Sequence, residues 1–117
     1  MGMDAVDRSP ALARSDQLPR PGTALPVFHD GDEWVLVRGF DGKVRMFQNR
    51  CPHRQMPLVE EACSTGATLR CPWHFWTFEL DGRLRDAVTI GSRIPDPGRY
   101  DLPSRPVVEE HGVIYPA

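Results

Sequence analysis

The chain has 117 residues and a formal net charge of −2 at pH 7, with 14 Lys and Arg against 16 Asp and Glu. This length predicts one domain with a modest core, and the nearly balanced charge gives no reason to expect nucleic acid or an anionic membrane as partner. Since no apolar run approaches the roughly 18 residues of a membrane span and the N-terminus lacks a secretion signal, we expect a cytoplasmic protein with reduced thiols.

Residues 1–17 are polar and contain Pro10, which predicts a mobile N-terminal tail before a domain at 18–117. Short runs rich in Val, Phe and Trp follow. They are separated by turns such as Asp41-Gly42 and Asp81-Gly82, a pattern typical of antiparallel strands. The predicted strands are ALPVFH, EWVLVRG, KVRMFQ, TLRC, WTFEL, PVVEE and GVIYP. The sequence therefore predicts an all-β fold.

The segment SRIPDPGRYDLPSRP at 92–106 interrupts this series of strands. Its four prolines exclude a helix and a central strand, because proline has no backbone N–H to donate. We therefore predict a long, stiff loop here.

Cysteine and histidine are paired in two short clusters. NRCPHRQM at 49–56 contains Cys51 and His53 in C-x-H spacing, and RCPWHFWTF at 70–78 contains Cys71 and His74 in C-x-x-H spacing. We call these pairs the first and the second hook. Thiolate and imidazole are good metal ligands, but zinc sites normally pair two cysteines in a hook. One thiolate and one imidazole per hook suit a binuclear centre, in which each loop delivers one ligand to each iron.

On these residues the chain resembles the Rieske domain family from about Leu18 to Tyr115, and in detail the Rieske domains of ring-hydroxylating oxygenases. The similar stretches are VRGFDGKVRMFQNRCPHRQMPL, CPWHFWTFELDGRL and EEHGVIY. The resemblance implies an antiparallel β-barrel or sandwich base with a small cluster-binding subdomain at about 48–78, partly covered by the Pro-rich loop. It also implies one [2Fe-2S] cluster per chain and no catalytic residues. One iron would be bound by Cys51 and Cys71, and the other by His53 and His74.

Departures from the family pattern indicate which type of Rieske centre to expect. High-potential members carry an additional cysteine in each loop, joined as a disulfide, and the matching positions here are Met56 and Trp73. They also carry a Ser and a Tyr whose hydroxyls donate to sulfur, where this chain has Trp76 and Phe78. We therefore expect no disulfide and a potential toward the low end of the Rieske range of about −150 to +300 mV. Phe75 and Trp76 replace the usual glycine, which affects the fine geometry of the second loop.

The resemblance implies a Rieske-type ferredoxin, a one-electron carrier from an NAD(P)H-dependent flavoprotein reductase to a terminal oxygenase. The chain ends soon after Tyr115, so we expect no second domain with the iron site of two His and one carboxylate, and an electron-transfer component instead of a complete enzyme. One alternative is a tightly bound electron-entry subunit of a multi-chain oxygenase. Another is a non-redox structural subunit, which the presence of all four ligands opposes.

Other residues near the hooks leave further roles open. Arg50, Arg54 and Arg70 adjoin ligand residues in sequence and could form a docking rim for a partner's carboxylates. Cys63 is either a small loop residue or a third thiolate of a zinc site, and the first is expected.

Overall fold

A computed structural model describes residues 11–51, 56–71, 76–86 and 101–117 of the chain. Within these ranges lie short strands and one turn of 3₁₀ helix, Ser15–Gln17. The strands are β1 (Ala13–Arg14), β2 (Thr23–His29), β3 (Asp32–Arg38), β4 (Val44–Gln48), β5 (Cys63–Ser64), β6 (Thr68–Arg70), β7 (Thr77–Glu79), β8 (Leu84–Asp86), β9 (Ser104–Arg105), β10 (Val107–Glu110) and β11 (Val113–Pro116). No helix in these ranges is long and apolar enough to cross a membrane. The cytoplasmic location stays a prediction.

The strands form three antiparallel sheets. A central sheet has the order β5-β2-β3-β4-β9, and two smaller sheets have the orders β1-β11-β10 and β6-β7-β8. In the central sheet Leu36 pairs with Leu25 on one side and with Met46 on the other. The predicted all-β fold is confirmed.

The central sheet is buried on both faces, as β3 shows. Trp34 and Leu36 point into a core shared with β1 and β11, which we call the distal core. Val35 and Val37 point to the opposite face, because side chains alternate along a strand. The distal core consists of Ala13, Leu18, Trp34, Leu36, Val44, Met46 and Ile114.

The opposite face of the central sheet packs against the sheet β6-β7-β8, and we call this second cluster the hook-side core. It includes both hook cysteines among its buried residues. Its members are Ala24, Val35, Val37, Phe47, Cys51, Leu58, Val59, Leu69, Cys71, Trp76, Phe78, Leu80 and Leu102. Both hook cysteines therefore belong to the larger of the two cores among the described residues.

All seven predicted strands are present, and four very short ones were missed: β1, β5, β8 and β9. The prediction of a mobile tail at 1–17 is wrong for 11–17. Ala13 is buried and pairs with Ile114, so tertiary contacts hold a segment that has no apolar periodicity. The bounds of the predicted cluster-binding subdomain, at about 48–78, stay a prediction, and the sheet β6-β7-β8 extends beyond them to Asp86.

The end of the Pro-rich segment forms hydrogen bonds to both the sheet β6-β7-β8 and the central sheet. Leu102 N–H donates to the Gly82 carbonyl at 2.8 Å, and Gln48 N–H donates to the Pro103 carbonyl at 2.8 Å. The next residues form β9 at the edge of the central sheet, where proline is tolerated. Residues 87–100, which include the rest of the predicted loop, lie outside the described residues.

Gly82 allows a close approach between two sheets. Its φ is +95°, and a Cβ at this position would lie 2.6 Å from Cε1 of Phe47, a core residue of β4. Only glycine combines this backbone conformation with so little space. The predicted turn at Asp81-Gly82 therefore also determines how closely the sheet β6-β7-β8 packs against the central sheet.

An ion pair connects β3 to β10, a strand of the sheet β1-β11-β10. Nη2 of Arg38 lies 2.7 Å from Oε2 of Glu109, and Nη1 donates to Oε1 at 3.1 Å. The same arginine donates through Nε to the Leu18 carbonyl at 2.6 Å. This two-pronged hydrogen bonding lowers the pKa of Glu109 below its usual value of 4.5.

We expect Glu109→Gln to reduce the free energy of unfolding near neutral pH by about 1 kcal/mol. A carboxylate whose pKa is depressed by folding stabilises above its unfolded-state pKa, and this contribution is lost as the pH falls through the folded-state pKa. The difference between wild type and variant should therefore shrink in acid, as measured by urea unfolding at neutral pH and at about pH 3. Glu110→Gln, an exposed neighbour on the same strand, is the control and should change little.

Candidate metal centre

Both hooks begin with a buried cysteine and close in the same way. Cys51 N–H donates to the Met56 carbonyl at 2.8 Å, and Cys71 N–H donates to the Trp76 carbonyl at 2.7 Å. Both cysteines are 0% exposed. Each bond closes a six-residue loop, which we call the first hook loop (51–56) and the second hook loop (71–76).

The two predicted histidine ligands belong to these loops. His53 lies in 52–55 and His74 lies in 72–75, and both segments are outside the described residues. The structure thus brings the two hook cysteines into one core and places the ends of both loops. The assignment of the four ligands stays a prediction.

The second hook loop sits at the tip of a hairpin. Arg70 on β6 pairs with Thr77 on β7 directly beside the loop, and Leu69 pairs with Phe78 one position further. Strand pairing therefore holds both ends of this loop. The side chains of Trp76 and Phe78 are 1% and 0% exposed, and both pack into the hook-side core.

The first hook loop follows β4, and its far end is held by a side chain. Asn49 is 0% exposed, and its Oδ1 accepts from Leu58 N–H at 3.0 Å and from Val59 N–H at 2.9 Å. Its Nδ2 donates to the Val59 carbonyl at 2.7 Å. Sequence analysis missed this residue. The available signal was a polar residue that follows the strand KVRMFQ, two positions before Cys51.

The two described arginines of the predicted docking rim have different surroundings. Arg50 forms an ion pair with Asp32, so its charge is compensated within the molecule. Arg70 is exposed beside Cys71, and Arg54 lies outside the described residues. The proposal of three arginines that face a partner therefore has no support from Arg50.

Cys63 differs from the hook cysteines in its exposure and in its position on a strand. Cys63 is exposed on β5, where it pairs with Ala24. The pKa of its thiol is raised, mainly because neighbouring atoms partly shield the sulfur from water and also because the negative charge of Glu61 is near. Among the described residues, no three Cys, His, Asp or Glu side chains come together as a metal site. A zinc site made by Cys51, Cys63 and Cys71 therefore gains no support.

The donor set fits an iron–sulfur cluster. Two thiols enter one apolar core from two separate loops, and no disulfide involves any of the three cysteines, all of which are described. Thiolate sulfur is the preferred ligand of such clusters, and a dry apolar surrounding protects it. Each loop also carries one histidine in its sequence.

Comparison with known proteins identifies the class. Residues 9–96 match the sequence profile of the Rieske [2Fe-2S] domain, and this chain belongs to that family. The glycine betaine monooxygenase oxygenase subunit of Chromohalobacter salexigens is 41% identical over 95 residues, which cover 81% of this chain and 21% of that protein.

Solved structures agree with the sequence comparison. The quaternary ammonium Rieske monooxygenase CntA, in complex with L-carnitine, superposes with a TM-score of 0.80 and 29% identity, over 91% of this chain and 30% of that one. Naphthalene 1,2-dioxygenase with bound indole gives a TM-score of 0.79 and 28% identity, over 92% of this chain and 25% of that one. The chain thus spans less than a third of the relatives that it matches, and corresponds to their Rieske domain.

Proposed function

We propose that this chain is the electron-entry domain of an oxygenase system and holds one [2Fe-2S] cluster through Cys51, His53, Cys71 and His74. The observation that carries the proposal is the pair of matched hook loops, each of which starts at a buried cysteine in the same core. The oxygenase subunits among its relatives support the role. A bound cluster supplies one-electron chemistry, since it accepts one electron and releases the same electron without making or breaking a substrate bond.

The protein's own residues set the conditions for this transfer. Cys51 and Cys71 present their sulfurs inside the hook-side core, where water is excluded. Trp76 and Phe78 pack in the same core and offer no hydroxyl to a sulfur. Fewer hydrogen bonds to sulfur disfavour the more negative, reduced state, and this supports a low potential.

The relatives favour the tightly bound electron-entry unit over the free ferredoxin that the sequence first suggested. They are oxygenase subunits several times longer than this chain, and the match lies in their Rieske portion. The electron donor in this proposal is an NAD(P)H-dependent flavoprotein reductase, and the acceptor is the oxygen-activating iron site of an oxygenase. All four predicted ligands are present in the sequence, which opposes a purely structural role.

Metal and sulfide analysis of the anaerobically purified protein tests the cluster. We expect about two irons and two acid-labile sulfides per chain. Stoichiometric zinc without sulfide would contradict it. A second assay mixes the reduced protein with an oxygenase catalytic chain that lacks its own Rieske domain. Co-elution as a stable complex supports the electron-entry unit, whereas rapid electron transfer without co-elution supports a free carrier.

Phe78→Tyr should raise the reduction potential. The change adds only a hydroxyl at the position where high-potential members of the family carry Tyr, and one hydrogen bond of about 1.4 kcal/mol in favour of the reduced state corresponds to about 60 mV. Voltammetry measures the shift. Phe40→Tyr is the control, because Phe40 is 66% exposed and should leave the potential unchanged. An unchanged potential in Phe78→Tyr would mean that the hydroxyl does not reach a sulfur.

A further inference from the structure

The two hook loops are held by different means. Strand pairing between β6 and β7 continues to the edge of the second hook loop, where Arg70 faces Thr77. The first hook loop is entered from β4, which ends at Gln48, and is followed by residues 56–62, which belong to no strand. The residues that follow the first hook loop therefore lack the backbone hydrogen bonds between paired strands that hold the second hook loop.

The Asn49 side chain supplies hydrogen bonds to the backbone that resemble those between paired strands. A carboxamide offers one carbonyl acceptor and an N–H donor, as a backbone peptide does. Here Oδ1 accepts from Leu58 N–H at 3.0 Å and Val59 N–H at 2.9 Å, while Nδ2 donates to the Val59 carbonyl at 2.7 Å. The backbone N–H of Asn49 also donates to the Glu33 carbonyl at 3.1 Å, which anchors the residue to the central sheet.

Burial makes these three hydrogen bonds decisive for the position of 56–59. Asn49 is fully buried, and Leu58 and Val59 are buried in the hook-side core. A buried N–H or carbonyl that loses its partner without access to water is strongly unfavourable. An apolar side chain at position 49 would therefore force residues 58 and 59 to move toward solvent, and the end of the first hook loop would move with them.

We propose that Asn49 is the positioning residue of the first hook, and that its carboxamide fixes the end of the first hook loop at Met56 relative to Cys51, a proposed ligand of the cluster. The ligand roles of Cys51 and His53 rest on the proposed function, whereas the hydrogen bonds themselves do not. Asn49 acts through the backbone of 58 and 59 and touches no substrate. Supporting residues of this kind commonly change metal retention by about 10-fold to 100-fold when they are replaced.

The experiment compares Asn49→Leu with Thr23→Val. Leucine has the same branched arrangement of side-chain heavy atoms as asparagine and removes all three side-chain hydrogen bonds. Thr23 is also buried, and its Oγ1 donates to the Arg20 carbonyl at 2.7 Å, so Thr23→Val removes a buried hydrogen bond away from the hook loops. Amide hydrogen exchange in the iron-free protein reports on Met56, Leu58 and Val59, and transfer of iron to a chelator reports on the loaded protein. Electron paramagnetic resonance of the dithionite-reduced protein reports on cluster geometry.

In Asn49→Leu we expect exchange at Leu58 and Val59 and the rate of iron loss to rise by about 10-fold or more, with broadened resonance lines. Thr23→Val should lower thermal stability without these changes. Asn49→Asp keeps the acceptor oxygen for both N–H groups and should give intermediate values. If Asn49→Leu does not fold, Asn49→Ala carries the same expectation, since it also removes every side-chain bond.

Exchange and iron loss no greater in Asn49→Leu or Asn49→Ala than in Thr23→Val would overturn the positioning role. The proposed function fails in a different way. In that case the wild type holds no iron and sulfide, although exchange at 58 and 59 still depends on Asn49.

Discussion

Cys51→Ser is expected to remove the visible absorption of the purified protein and most of its iron. A serine hydroxyl is a far poorer ligand for iron in a sulfur cluster than a thiolate, and Cys51 is 0% exposed at the start of the first hook loop. Cys71→Ser should behave in the same way, because Cys71 is equally buried at the start of the second. Visible spectra with iron and sulfide analysis of protein purified without oxygen measure both effects.

The chain provides its own control for this prediction. Cys63→Ser changes the third cysteine, which is exposed on β5 and lies outside the hook-side core. The variant should keep the full spectrum and the full content of iron. If Cys63→Ser loses the cluster while Cys51→Ser retains it, the ligand assignment is wrong and Cys63 takes the place of Cys51.

Gly82→Ala should destabilise the fold by about 3 kcal/mol. A left-handed backbone costs an L-residue about 1 kcal/mol, and overpacking of a core adds about 2 kcal/mol. Both terms apply at Gly82, where φ is +95° and the new Cβ would lie 2.6 Å from Cε1 of Phe47. Phe47 is 1% exposed and has little room to withdraw. Urea unfolding followed by circular dichroism measures the loss.

Gly112→Ala separates the two contributions. Gly112 also has a left-handed backbone, with φ +78°, but no atom lies within 4 Å of the position that a Cβ would take. This variant should therefore lose only about 1 kcal/mol. Equal losses in both variants would show that the contact with Phe47 relaxes without cost.

Sequence patterns predicted the strands that are long enough to show alternation or an apolar run. The segment EWVLVRG became β3, with Trp34 and Leu36 on one face and Val35 on the other. The missed strands have only two or three residues, and their pairing is decided by neighbours that are distant in sequence. Ala13 is such a case, since its strand exists through its pairing with Ile114.

For the candidate site, sequence analysis identified the hook cysteines because residue type and spacing carry that information. It missed Asn49, whose importance depends on the approach of Leu58 and Val59 in space. It also assigned Arg50 to a partner-facing rim, although Asp32 lies close enough to pair with it. Spacing within a short segment predicted which cysteines share a core, whereas partners supplied by residues distant in sequence were not predicted.

The identical closure of the two hook loops separates what the frame must preserve from what can vary. In each loop the first N–H and the last carbonyl bond to each other, so the frame is defined by Cys51 with Met56 and by Cys71 with Trp76. Both bonds use backbone atoms only, so they do not depend on the identity of the side chains at either end. The backbone frame can therefore be retained between relatives while side chains other than the four proposed ligands diverge, and the electronic properties of the centre can change with them.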